Sequence, residues 1–225
     1  GSAASMAAAA PRRGGRASWE APDEVYEARC EELTRILLDP ARSQPFLADL
    51  HALVEHLAAP AYANMLAQVA LRYTAPGVPD LYQGTEMADL SLVDPDNRRP
   101  VDYAERETLL ADGNEDPRGR KLRLIRQLLQ LRRAEPTLFE DGGYEPVPVT
   151  GQRREHVLAF RRTSDAGSIL SVVALRCAGA LAGTSRVTPP AEWWGDTELD
   201  LAGVPDRRVS AILADAPVSV ALLER

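Results

Sequence analysis

The chain has 225 residues, 45% of them hydrophobic and 26% charged, an ordinary balance for a globular protein. Its net charge of −7 argues against a nucleic-acid partner, which needs a basic face to neutralise phosphates. No apolar run reaches the ~18 residues of a membrane span, and two cysteines far apart, Cys30 and Cys177, point to a reducing, cytoplasmic setting rather than a disulfide or zinc framework.

Residues 1–17 are small and dotted with Arg. Gly1-Ser2 reads as a protease scar, Met6 as a native start, and the whole as a tag and disordered leader. From Asp23 to Leu38 the spacing predicts a helix with Tyr26, Cys30, Leu33 and Leu37 on one face, stopped at Asp39-Pro40. Ser43 is a candidate N-cap for a second helix, with Phe46, Leu50, Leu53 and Leu57 turned inward. His51 and His56 lie about 140° apart on it, the wrong spacing for a two-His metal site. Pro60 is expected to open a third helix that runs to Tyr73 and buries Tyr62, Leu66, Val69 and Tyr73.

Pro76-Gly77 then signals a turn, and the apolar run Val78 to Tyr82 reads as a buried strand. Gln83-Gly84-Thr85-Glu86 follows it, then a loop dense in Asp94, Asp96, Asn97, Arg98, Arg99 and Asp102. Carboxylates and Arg forks in such a loop suit a polyhydroxylated ligand; the alternative is a solvated loop with local salt bridges. Arg120 to Arg133 predicts another helix, striped by Leu122, Ile125, Leu128 and Leu129 and ended by Pro136. Its basic residues read as a solvated face. From Gly142 short Val- and Ile-rich runs alternate with turn residues: Tyr144–Val149, His156–Arg161, Ile169–Leu175, Glu198–Leu201, Val209–Leu213 and Val218–Leu222. That texture predicts an antiparallel sheet or sandwich. Trp193-Trp194 fits the edge of its core better than a sugar platform, and His156 a structural role.

The run PGVPDLYQGTEMADLSLVDPDNRRPVDY, residues 76–103, resembles the maltooligosyl trehalose synthases of the α-amylase superfamily, glycoside hydrolase family 13. Weaker similarity extends over about residues 18–225, including Ser18-Trp19, Pro22, Asp23 and Glu24, Pro45-Phe46-Leu47, Asn64, Gln68, Arg132-Arg133 and Leu138-Phe139. The resemblance implies that Val78–Tyr82 is the eighth strand of a (β/α)8 barrel, the next helix its last, and that Asn64 and Gln68 face the site. The expected class is therefore α+β. A helical segment with the last β/α unit of the barrel occupies 18–140, and an antiparallel β domain 141–225.

The implied reaction converts the reducing-end α-1,4 bond of a maltooligosaccharide to an α,α-1,1 bond by intramolecular transglucosylation, an isomerisation in trehalose biosynthesis that needs no cofactor. By the same resemblance Tyr82, Gln83, Thr85, Glu86, Asp94, Asp96, Asn97, Arg98 and Arg99 bind substrate. In the superfamily the nucleophilic Asp, the acid/base Glu and a stabilising Asp follow strands four, five and seven; no motif for them is found here. No catalytic or metal-binding residue is assigned, and the chain alone is expected to be inactive. Ala88 replaces the family's usual Trp, removing stacking area. A β/α unit without its companions leaves edges and apolar faces bare, so self-association or pairing with the missing barrel half is expected. A non-catalytic α-glucan-binding or structural module is the alternative.

Overall fold

The computed structural model describes residues 23–91, 98–111, 116–165 and 167–223. Ser18, Trp19, Pro22 and the leader lie outside them. The described residues form two compact units, one of 23–54, 88–91 and 98–102, the other of 55–87 and 103 onward.

In the first unit, α1 (Glu24–Leu37) starts where the Asp23 carboxylate accepts the Tyr26 N–H at 3.0 Å. Glu24 and Glu27 in its first turn and Arg35 in its last match the helix dipole. Tyr26, Cys30 and Leu37 are half-buried, but Leu33 faces outward. The next helix, α2 (Pro40–Thr74), begins earlier than expected, because Asp39 accepts the Ala41 N–H at 2.9 Å and Pro40 occupies the first turn. Ser43 is not its N-cap. It is a kink inside the helix, with φ −133° and ψ 33°, and its hydroxyl donates to the Ile36 carbonyl at 2.8 Å. The inward stripe expected along this stretch is also corrected: Phe46 is 43% and Leu53 53% exposed, Leu57 is exposed too, and only Leu50 is half-buried. The helical period is present, but nothing among the described residues covers that face.

In the second unit α2 continues straight through Pro60, so no third helix opens there. An interior proline orphans the carbonyl four residues back. Here that carbonyl, of His56, accepts the Gly183 N–H at 2.9 Å. Beyond Pro60 the buried seam is Ala63, Leu66, Ala67, Val69, Ala70, Tyr73 and Thr74. Its alanines let the sheet approach closely. Then come α3 (Tyr103–Ala111), which the sequence reading did not foresee, α4 (Arg120–Ala134) and the short α5 (Pro136–Glu140). Leu122, Ile125 and Leu128 of α4 are buried as expected, whereas Leu129 is exposed.

The β region holds β1 (Gly143–Pro146), β2 (Val149–Thr150), β3 (Val157–Ser164), β4 (Gly167–Ala174), β5 (Glu198–Leu199) and β6 (Val218–Leu223). β1, β3, β4 and β6 form one antiparallel sheet in the order β1-β3-β4-β6, and β2 pairs with β5 in a separate ribbon. Side chains alternate across the sheet. Val157, Ala159, Leu170 and Val172 join the core built by Leu181, Trp194, Val209 and Leu213. Val173 and Val218, on the opposite face, meet Leu66, Ala67 and Ala70 of α2. Short helices α6 (Ala178–Leu181), α7 (Ala191–Trp194) and α8 (Val209–Ile212) complete that first core. The strand expected at Val209–Leu213 is thus α8. Val209 and Leu213, four apart, are both fully buried, and that spacing puts them on one helical face. Among the described residues no helix is long and apolar enough to cross a membrane.

Arg162 of β3 is 1% exposed and lies among carbonyls. Its guanidinium donates to Gly143 O and Gly142 O at 2.8 Å each, to Thr74 O at 3.2 Å and to Phe139 O at 3.3 Å. Burial, then the charge of nearby Arg132, lowers its pKa from 12.5. Replacing Arg162 with Met orphans four carbonyls, and we expect the unfolding free energy from urea titration to fall by about 3 kcal/mol or more. Arg162→Lys, with a compact ammonium instead of a planar fork, is expected to recover less than half of that loss.

Cys177 is buried, and its thiol is pushed up by burial from 9.0 to about 12 while donating to Leu175 O at 3.2 Å. A raised pKa means the native state keeps a proton that the unfolded chain releases. Its stabilisation is fully present below pH 9.0 and is lost as pH rises from there toward 12. At pH 8 a disulfide reagent is therefore expected to titrate half-buried Cys30 in the native protein and Cys177 only after denaturation.

Candidate functional site

The segment after α2 leaves the helix at Ala75, whose N–H still donates to Leu71 O at 2.9 Å. Gly77 turns the chain with φ +124°, a value that side-chain-bearing residues rarely adopt. The expected buried strand does not follow. Val78 is 96% exposed, and residues 78–82 pair with no strand. A parallel barrel strand exists only between neighbours, and none of the described strands lies beside this run. Leu81 turns in, against Val69, Tyr73, Ile125 and Leu128. Arg72 reaches forward and donates to Asp80 O at 3.1 Å.

Next comes a turn in which Thr85 donates twice to Tyr82 O, from its backbone N–H at 3.0 Å and its hydroxyl at 2.7 Å. Gly84 supplies the φ of +90° that the turn requires. Glu86 closes it. One carboxylate oxygen accepts the Gly84 N–H at 3.3 Å and the other accepts Arg106 Nε at 3.0 Å. The same guanidinium donates to Gly84 O at 2.8 Å, and Lys121 of α4 donates to Met87 O at 3.0 Å. Both partners of the Glu86–Arg106 pair are largely covered, so solvent screens it less than a surface pair. The result is a stiff turn that holds Tyr82 and Gln83 out to solvent with Thr85 half-buried between them and Glu86.

Arg106 escaped the sequence reading. It lies 20 residues beyond Glu86 on the unforeseen α3, and no local pattern couples the two. Of the loop residues expected to bind sugar, Asp94, Asp96 and Asn97 fall outside the described residues. Arg98 and Arg99 are exposed in the other unit. There Arg99 donates to the Ser91 hydroxyl at 3.2 Å, and that hydroxyl donates to Asp89 at 2.6 Å, a relay that shapes the loop. Asn64 and Gln68 are exposed on α2.

The tryptophan pair is structural. Trp194 is fully buried, and Trp193 packs edge-on against it at 4.9 Å and against His156 at 4.8 Å. The Arg153 guanidinium lies over the Trp193 ring at 4.7 Å. His156 Nδ1 faces Leu175 O at 3.3 Å and Arg176 O at 3.2 Å, so the acceptors assign it the proton. Among the described residues no group of three His, Cys, Asp or Glu side chains could hold a metal ion.

No protein-family model matches the chain. Two curated proteins of Mycobacterium tuberculosis strains that carry the name of maltooligosyl trehalose synthase are each 43% identical to it over 148 residues, 66% of the chain. Among solved structures, maltooligosyltrehalose synthase from Arthrobacter ramosus superposes with a TM-score of 0.77 at 32% identity, covering 100% of this chain. A hypothetical maltooligosyl trehalose synthase of Sulfolobus tokodaii covers 77% of it, with a TM-score of 0.59 at 27% identity. The chain spans 18% of the length of the curated relatives and 30% of the Arthrobacter structure. Its α+β fold thus matches only a part of a much longer kind of protein. That kind is the maltooligosyl trehalose synthases, and the chain is homologous to a C-terminal portion of them.

Arg106→Ala removes the donor that holds both Glu86 and Gly84 O. We expect amide hydrogen exchange at Gly84 and Thr85 to accelerate about tenfold, with little change across the sheet.

Proposed function

We propose that this chain forms the C-terminal part of a cytoplasmic enzyme that converts the reducing-end α-1,4 bond of maltooligosaccharides into an α,α-1,1 bond by intramolecular transglucosylation. The observation that carries this reading is 43% identity over 148 residues to proteins named for that synthase. Retaining glycoside chemistry uses one carboxylate as nucleophile and a second carboxyl as acid/base, and capture of the glucosyl–enzyme by the sugar's own freed end conserves every atom. Water must be kept out for that capture to win over hydrolysis. No cofactor takes part.

In this reading residues 18–140 carry helices and the last β/α unit of a (β/α)8 barrel, with α4 as its final helix. The β domain occupies 141–225. Residues 78–82 become a strand only beside the barrel strands they pair with. Tyr82, Gln83 and Thr85 meet the sugar, together with Asp94, Asp96, Asn97, Arg98 and Arg99. Glu86 serves the same pocket, with Arg106 fixing its carboxylate. None of these residues is assigned to bond cleavage, because none matches a catalytic carboxylate of the superfamily.

The second reading is a non-catalytic module that binds α-glucan or braces a partner; the exposed Phe46–Leu53 face of α2 favours it, since such a face needs a cover. Incubation with maltohexaose separates the two. The chain alone is expected to leave the reducing ends intact, while the chain combined with the remaining portion of a related synthase consumes them. Calorimetry is expected to show weak binding of maltohexaose that Tyr82→Ala reduces about fivefold. Loss of reducing ends with the chain alone contradicts the assignment of its catalytic carboxylates to another part of the enzyme.

A further inference from the structure

A cavity of about 530 Å³ lies in the larger unit, with Ala58, Ala59 and Tyr62 of α2 on one side and the loop Thr184–Thr188 on the other. None of residues 82–86 lines it. Its two walls are tied together by the proline in α2. Pro60 leaves the His56 carbonyl without a helical donor, and Gly183, at the start of the facing loop, fills it at 2.9 Å. Gly183 has φ +72°, and a Cβ there would meet the His56 ring at 3.3 Å. The close approach of loop to helix is thus built into both sequences.

The lining offers hydroxyl oxygens and two guanidinium groups. Tyr62 donates its hydroxyl proton to Pro117 O at 2.8 Å, and Thr188 donates its own to Leu213 O at 2.8 Å. Burial raises the Tyr62 pKa above 10.0, so its proton stays in place. Both oxygens keep lone pairs that accept from a ligand's hydroxyls. The donors are Arg120 and Arg186, which also line the cavity. Among the described residues neither guanidinium makes a hydrogen bond or ion pair, whereas Asp116, the nearby acid, is held by Arg118 at 2.8 Å. The volume is that of a small-molecule site.

The geometry points to a binding site for a small anionic polyol, a sugar phosphate, with the arginine pair on the phosphate and Tyr62 and Thr188 accepting from the sugar hydroxyls. Guanidinium forks match phosphate oxygens in pairs. A neutral sugar leaves two cations unmet, and a bare phosphate leaves the acceptors unused. The two kinds of polar group in the lining therefore match the two parts of one ligand.

Titration calorimetry of the full chain with glucose 6-phosphate, glucose and inorganic phosphate tests this. We expect saturable one-to-one binding of glucose 6-phosphate, about tenfold tighter than phosphate, and no saturation by glucose over the same range. Arg120→Gln and Arg186→Gln are each expected to weaken it about tenfold; Arg186 is exposed, so its variant keeps the fold. Tyr62→Phe is expected to weaken glucose 6-phosphate but not phosphate. No saturable glucose 6-phosphate binding up to about 10 mM overturns the proposal. So does unchanged affinity in both arginine variants, or phosphate binding as tightly as the sugar phosphate.

Discussion

A guanidinium buried without a carboxylate partner among the described residues is the constraint on which the larger unit depends. Charge removed from water costs several kcal/mol unless its surroundings replace the lost solvation. At Arg162 the replacement is made of carbonyl dipoles, two of them from helix C-terminal turns, at Thr74 of α2 and Phe139 of α5. Those turns carry the negative ends of their helix dipoles and carbonyls with no intrahelical partner. One planar fork thus satisfies the chain's orphan acceptors while they satisfy it. Gly142 belongs to the same arrangement. A Cβ there would run into the Leu138 carbonyl, so only glycine brings the Gly142 and Gly143 carbonyls in to the fork. Arg132 adds a second cation, on Tyr73 O at 3.0 Å and over the Phe139 ring at 4.6 Å. The two positive charges oppose each other, which is part of what lowers the Arg162 pKa, and the shared helix terminus offsets that repulsion.

The end of α2 is also where the chain departs for residues 75–87, and the same chemistry continues there. Arg72 takes Asp80 O, Arg106 takes Gly84 O, and Lys121 takes Met87 O. A segment with no strand pairing still has to satisfy its carbonyls. Cations from α2, α3 and α4 do this here, and so give the turn its shape in the absence of a ladder. Loop order and helix packing are thereby one problem, because moving α4 moves Lys121 and Arg132 together.

What was legible in the sequence follows from which interactions are local. The helix at Arg120–Ala134 and strands β3, β4 and β6 carry their own period, and each was read to within a few residues. Val78–Tyr82 has a strand's composition, but strand formation is a property of at least two segments. Pro60 reads as a helix start because the device that tolerates it inside a helix, Gly183, lies 123 residues away. The seam of α2 is legible through Leu66, Val69 and Tyr73 but not through its alanines, although small residues set how close the sheet approaches. Arg162 and Arg106 give no sign in the sequence, since Gly143, Gly142, Phe139 and Thr74 for the one and Glu86 and Gly84 for the other are distant from them along the chain, and most of the accepting atoms are backbone carbonyls.

The turn at 82–86 bears on how a recognisable motif is to be interpreted. Tyr82 and Gln83 present their side chains to solvent, whereas both oxygens of Glu86 are already engaged, by Gly84 N–H and by Arg106. A carboxylate held by a guanidinium still has lone pairs for a ligand hydroxyl, but it no longer has the freedom to reach for one. In that case Glu86 works as a fixed wall whose position is set by α3, and the exposed pair beside it adapts. The motif therefore mixes residues that shape the loop with residues that face outward, and identity alone does not separate them. The separation comes from following each donor to its acceptor, and it makes Arg106, outside the recognisable run, as much a part of the turn as any residue within it.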